Sequence, residues 1–152
     1  MSHINYEQQL VDSYWNSIKN NRLTLINQKC RAKKYADLEY LENDSNILWR
    51  IEAKSHMSKD AYNAVHKIFG ELLKDTGRPS DESRTVKHGV LLDGRYSENV
   101  RKGGEAFFRE YFQYIAREKY QGFGLLIPVE TIIVYNLTND PCSFKWDQFI
   151  GV

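Results

Sequence analysis

Apolar positions repeat with two different periods along this chain, and the switches between them mark out its elements. From Asn5 to Asn20, Leu10, Val11, Tyr14, Trp15 and Ile18 recur at helical spacing, and Asn5 is suited to cap the start. Leu23 to Cys30 reads as a short strand on Leu23 and Leu25, although Leu25-Ile26 would also extend a helix. Tyr35 to Glu42 and Ile47 to Ser55 alternate around the turn formers Asn43-Asp44-Ser45-Asn46, which predicts a hairpin. Ser58 to Asp75 is a second helix with Ala61, Tyr62, Val65, Ile68, Phe69, Leu72 and Leu73 as its apolar stripe, stopped by Thr76-Gly77 and Pro79. Arg78 to Arg84 is a polar loop. Thr85 to Asp93 is a strand whose centre, Val90-Leu91-Leu92, suits burial on both faces. Arg95 to Gly104 reads as a loop, and Glu105 to Tyr120 as a third helix that Gln121-Gly122-Phe123-Gly124 breaks. Glu130 to Leu137 is a strand, and after a turn at Asn139-Asp140-Pro141 a final edge strand is expected over Ser143 to Ile150. Helix, strands, hairpin, helix, strand, helix, strand is an α/β order.

The hairpin carries the chemistry. If Glu42 pairs with Ile47, Leu41 faces Leu48, Glu39 faces Arg50 and Asp37 faces Glu52. The first two are stabilising pairs, whereas two acids about 5 Å apart at Cβ repel one another. A divalent cation between Asp37 and Glu52 would compensate, with Lys54 on the same face to help. Mg²⁺ or Mn²⁺ suits an all-oxygen site, and a cation-activated water beside a lysine is equipment for phosphodiester hydrolysis.

Asp37 followed by Glu52-Ala53-Lys54 at the end of the next strand resembles the PD-(D/E)xK nuclease superfamily, the restriction endonuclease-like proteins. The resemblance covers roughly residues 5 to 120 and implies an αβββαβ core, a central mixed sheet flanked by helices, with the C-terminal strands as an elaboration. It implies Asp37, Glu52 and Lys54 as catalytic residues. The metal ligands would be Asp37, Glu52 and the backbone carbonyl of Ala53, and Glu7 on the first helix would be an auxiliary acid. Ala36 stands where the motif usually has proline. The second helix has no glutamine, and Lys59 or Asn63 would have to take that place.

Other residues are candidates by position. His56 shares a face with Glu52 and Lys54 if the strand runs that far, so it would contact the scissile phosphate or act as an acid, or else form ordinary polar surface. Lys29, Arg31, Lys33 and Lys34 form the densest basic run, just upstream of Asp37. They read equally as a phosphate-contacting patch and as a protected strand edge. Arg101 and Lys102, before Gly103-Gly104, are further phosphate contacts or part of a plain connection. The broad face of Phe107, Phe108, Tyr111, Phe112, Ile115 and Ala116 reads as deep packing, with a homodimer surface as the second reading.

Length and composition narrow the choice. A chain of 152 residues suits one domain spanning 1–152. Its ten Tyr, seven Phe and three Trp should supply much of the core. Cys30 and Cys142 form no disulfide framework, which fits free thiols in a cytoplasmic setting. The longest apolar stretch, Gly124 to Val129, is too short to span a bilayer, and no membrane partner is expected. A net charge of +1 means that any nucleic-acid footprint, DNA first among the expectations, is local. Two rivals stand beside a metal-dependent nuclease. One is a non-catalytic binding or assembly module on the same scaffold. The other is an α/β domain in which Asp37, Glu39, Arg50, Glu52 and Lys54 are a solvated ion network.

Overall fold

The computed structural model describes residues 4–79 and 83–150. Ser80, Asp81 and Glu82, the middle of the polar loop expected after the second helix, lie outside the described residues. The chain begins with helix α1 (Tyr6–Ile18), where Asn5 Oδ1 caps the backbone N–H of Gln8 at 3.0 Å. Strands β1 (Leu23–Asn27), β2 (Leu38–Glu42) and β3 (Ile47–Lys54) follow, then helix α2 (Ala61–Thr76) and strand β4 (Thr85–Asp93). This is the αβββαβ order expected from the sequence. Next come a small ribbon, β5 (Tyr96–Ser97) and β6 (Lys102–Gly103), and helices α3 (Gly104–Gln113) and α4 (Arg117–Leu126). Strands β7 (Val129–Tyr135) and β8 (Cys142–Phe144) and the short helix α5 (Trp146–Phe149) complete the order.

One six-stranded mixed sheet organises these elements in the order β1-β2-β3-β4-β7-β8. β3, β4 and β7 are parallel, and the outer pairings are antiparallel. α2 supplies the crossover between β3 and β4, as a parallel pair requires. The hairpin register is as expected: Glu42 opposes Ile47, Leu41 opposes Leu48 and Glu39 opposes Arg50. The ladder ends at Leu38 opposite Ile51, so Asp37 and Glu52 are not a ladder pair. β4 is interior, and Val90, Leu91 and Leu92 are fully buried.

The sheet has two cores. On one face α1 sets Leu10, Val11, Tyr14 and Trp15 against Leu38, Tyr40, Ile51 and Ala53. On the other, α2 to α5 bury Val65, Ile68, Leu72, Phe108, Phe112 and Trp146 over Val90, Leu92, Ile132 and Val134. Strand alternation puts Glu39, Arg50, Glu52 and Lys54 on this second face, beside the apolar core. The second side of the sheet is therefore split into an apolar half and a buried polar half.

Several expected boundaries shift. β1 stops at Asn27, which pairs with Glu39 after a register irregularity that follows Leu25. The expected third helix is two helices. The chain turns at Tyr114–Ala116, and the predicted breaker Gln121-Gly122-Phe123-Gly124 lies inside α4. Gly124 is there for packing: a Cβ would stand 2.3 Å from Cδ1 of Trp146. The expected final strand ends at Phe144, and Trp146 to Phe149 turn into α5, tucking two aromatics under the sheet. The broad aromatic face is largely occupied within the chain, with Phe112 5.8 Å from Trp146 and 5.7 Å from Phe149 between ring centroids. Among the described residues no helix is long and apolar enough to cross a membrane.

Candidate metal centre

The polar half of the second face forms the floor of a cleft. Glu52 and Lys54 reach it from the end of β3 by strand alternation. Asp37 reaches it from the residue before β2. Its Oδ2 accepts from the Ala53 N–H at 2.9 Å and its Oδ1 from the Arg31 N–H at 3.1 Å. Glu71 reaches down from α2. Asp37, Glu52 and Glu71 each place a carboxylate oxygen within 4.8 Å of the others. Lys54 Nζ lies 2.7 Å from Glu71 Oε1 and 4.0 Å from Glu7 Oε2. The floor is sunk: Asp37 is 5%, Glu52 3% and Lys54 3% exposed. Solvated ion pairs are excluded by that burial, which also covers Glu39 and Arg50.

The crowding shows in the acids' proton affinity. Burial pushes the Glu52 carboxyl well above its ordinary range, and the facing Glu71 carboxyl and the Asp37 charge push it further. Burial also raises Asp37, against the two N–H donors from Ala53 and Arg31 that favour its charged form. Glu7 is raised by burial, with Lys54 opposing. Burial works against the Glu71 carboxylate too. There, hydrogen bonding with Glu52 and the Lys54 charge prevail and hold it below the usual range. Lys54 loses solvation by burial, but Glu7 and Glu71 more than restore its proton.

The cleft has a volume of about 530 Å³. α2 forms one wall, through Asp60, Ala64, Lys67, Glu71 and Lys74, and the segment 31–35 forms the other. Exposed cations stand on both walls: Arg31 and Lys33 on one, Lys67 and Lys74 on the other. Among the described residues none of these four has a carboxylate partner within 4.0 Å. An acidic floor thus lies under an uncommitted basic rim.

No family model matches the chain, and no curated protein matches it. Among solved structures it is similar to the crystal structure of an XisH family protein from Nostoc punctiforme, at 14% identity and a TM-score of 0.47, over 86% of this chain and 91% of that one.

Of the residues singled out from sequence, the fold brings Asp37, Glu52, Lys54, Glu7, Arg31 and Lys33 to one cleft. Ala53 gives its N–H to Asp37, and its side chain packs in the opposite core. Lys29, Lys34 and Lys59 are exposed and do not line the cleft. His56 is a correction. β3 ends at Lys54, so alternation no longer sets its direction, and the ring is fully buried 5.3 Å from Phe107 and 5.6 Å from Phe108. Its Nε2 is 3.2 Å from the Lys102 carbonyl, and burial lowers its proton affinity. Arg101, at φ 55°, and Lys102, paired with Glu110, lie outside the cleft lining.

Glu71 is the functional candidate that sequence reasoning missed. A second stripe ran beside the apolar one: Asp60, Ala64, Lys67, Glu71 and Lys74 recur at intervals of three and four. A polar stripe with a small residue at its centre, next to a buried one, was the available signal.

The three acids suit a hard divalent cation. All donors are carboxylate oxygens, and such ions hold oxygens at about 2.0–2.6 Å, so two ligands of one ion lie at most about 5 Å apart. Asp37, Glu52 and Glu71 meet that spacing already.

Proposed function

We propose that the cleft is the active site of a metal-dependent nuclease that hydrolyses phosphodiester bonds of nucleic acid, DNA in the first instance. One observation carries this: buried Asp37 and Glu52 converge with half-buried Glu71 beside Lys54, beneath four cations that have no carboxylate partner among the described residues. Asp37, Glu52 and Glu71 would hold Mg²⁺ or Mn²⁺, with the Ala53 carbonyl as a further ligand. A cation there supplies Lewis-acid polarisation of the phosphate and a more acidic water. Lys54 stabilises negative charge developing on the phosphate, and its desolvated position strengthens that effect. Glu7 and Glu71 hold the Lys54 ammonium in place. Arg31, Lys33, Lys67 and Lys74 bind flanking phosphates. The free thiols of Cys30 and Cys142 suit a reducing, cytoplasmic setting.

The deciding experiment incubates wild type and Lys54→Ala with DNA and RNA strands, with and without Mn²⁺. Cleavage that needs both Mn²⁺ and Lys54 is expected. A thermal scan gives an independent readout, since a site that binds Mn²⁺ raises Tm. A second reading is favoured by the 2.7 Å contact that already engages Lys54 with Glu71. In that reading the cleft binds cation and nucleic acid without cutting, and Mn²⁺ raises Tm while every strand stays intact.

A further inference from the structure

Resting on the nuclease reading, the geometry points to an unpaired strand as the substrate: we propose that this cleft accepts single-stranded nucleic acid, with one base against Tyr35, and excludes a paired duplex. The catalytic floor is the first observation. At 3–5% exposure, Asp37, Glu52 and Lys54 are reachable only through the cleft. Its 530 Å³ is the size of a pocket for a small molecule, not of a trough for a rod.

The second observation is the shape of the path. A second cavity of about 310 Å³ shares Glu7, Arg31 and Ser58 with the first and adds Ile4, Tyr6 and Ser55. The two cavities adjoin at Glu7, Arg31 and Ser58, so a chain lying in both passes over Glu7 beside the floor. An unpaired backbone can enter two small adjoining cavities at little cost, whereas a paired one would have to give up pairing and stacking. Each lobe also carries an aromatic. Tyr35 is 41% exposed in the first. Tyr6 lines the second, its ring 5.4 Å from the Arg95 guanidinium. Aromatic faces alternating with cations that follow a backbone are what single-strand sites are made of.

The third observation is that the walls are tied together. Arg78, just past α2, donates to the Lys34 carbonyl and to Glu39, and Glu39 accepts from the Ala36 N–H at 2.6 Å. The segment 31–36 is thereby fastened to the end of the opposite wall. Spreading the cleft to admit a duplex would break these hydrogen bonds and the Arg78–Glu39 ion pair.

The test uses one labelled sequence in DNA and in RNA, each as a free strand, a blunt duplex and a hairpin with an unpaired loop, all with Mn²⁺. Free strands and loops are expected to be cut about a hundredfold faster than paired stretches, the ratio set by the cost of unpairing. Preference for either sugar supports the inference equally. Tyr35→Ala should raise KM about tenfold, Tyr35→Phe should restore it, and neither should alter the Mn²⁺-induced Tm rise. Blunt duplex cut as fast as the free strand overturns the inference and leaves the nuclease reading standing. An unchanged KM in Tyr35→Ala overturns the seat for the base. Failure to cut any form removes the nuclease reading and this inference together.

Discussion

The carboxylate of Asp37 accepts the backbone N–H of Ala53 at 2.9 Å, one step beyond the last rung of the hairpin, where Leu38 opposes Ile51. A side chain there finishes the strand pairing and sets one acid of the buried cluster at once. Its other oxygen takes the Arg31 N–H. The two roles separate by substitution. Asp37→Asn keeps a carbonyl oxygen for one of these donors, whereas Asp37→Ala leaves both unmet, at about 1–3 kcal/mol for a buried donor. Thermal scans without metal should therefore show Asp37→Ala well below Asp37→Asn. With Mn²⁺, both should lose the Tm rise of wild type. Equal metal-free stability of the two variants would show that the carboxylate does not hold the strand end.

Glu52 makes the metal-free protein sensitive to pH. Its folded pKa is raised by burial and by the facing acids, above an unfolded value of about 4.3. Between those two values the folded state binds the extra proton, so stability falls as pH climbs through the window. Asp37 and Glu7 act with the same sign. Glu71, held low, acts with the opposite sign and keeps its contribution above its unfolded pKa. Glu52→Gln near neutral pH should thus stabilise the metal-free protein by about 1 kcal/mol or more, roughly 2–4 °C in Tm at this chain length. It should also flatten the slope of Tm against pH and abolish the response to Mn²⁺. A metal-free loss of stability in Glu52→Gln would refute this account of the crowded floor.

Cation binding must displace the proton held on this cluster. Titration calorimetry with Mn²⁺ in two buffers of different ionisation enthalpy should report about one proton released per ion near neutral pH. Apparent affinity should rise with pH, by at most about tenfold per unit for each proton. Binding without proton release would mean that the cation sits elsewhere than on Glu52.

The legible and illegible parts of this fold differ in physical kind. The hairpin register follows from alternation and turn residues, which are local, and Glu39 does face Arg50 as expected. The final placement of Asp37 depends on amides at Arg31 and Ala53, which no local pattern announces. Glu71 was visible as a helical polar stripe but is masked by the stronger apolar stripe beside it. The break at Tyr114–Ala116 contains no glycine or proline, while Gly122 and Gly124 lie inside α4, where only Gly124 is required by packing, against Trp146. His56 would share a face with Glu52 and Lys54 only on a strand that ran two residues further than β3 does.

Behind the acidic cluster a second buried set of charges links the walls of the cleft. Arg50 donates to the carbonyls of Asp75 at 3.0 Å and Pro79 at 3.3 Å, and lies 3.8 Å from Glu39. Arg78 pairs with Glu39 and lies 3.7 Å from Asp75 Oδ1. Glu39 is 2% and Asp75 0% exposed, so removing a cation strands buried anions. Arg50→Met should cost about 3–5 kcal/mol in urea unfolding. Glu39→Leu combined with Arg50→Met should recover part of that loss, because the pair is removed together. Two single losses that simply add would show the charges to be independent.

Gly122 and Gly124 lie two residues apart in α4 and should respond to alanine with opposite signs. A Cβ at Gly122 meets nothing within 4 Å, and alanine is about 1 kcal/mol better than glycine inside a helix. A Cβ at Gly124 would stand 2.3 Å from Cδ1 and 2.7 Å from Nε1 of Trp146. Trp146 cannot step aside. Its Nε1 donates to the Tyr120 carbonyl at 2.8 Å, and its ring stacks on Tyr120 with centroids 4.4 Å apart. Gly124→Ala should therefore destabilise by about 1–3 kcal/mol through overpacking, while Gly122→Ala stabilises. Unfolding midpoints of the two variants test this directly, and a matched response would show that Trp146 does not pack against α4 at Gly124. Neither position touches the cleft, so the Mn²⁺-induced Tm rise should survive in both.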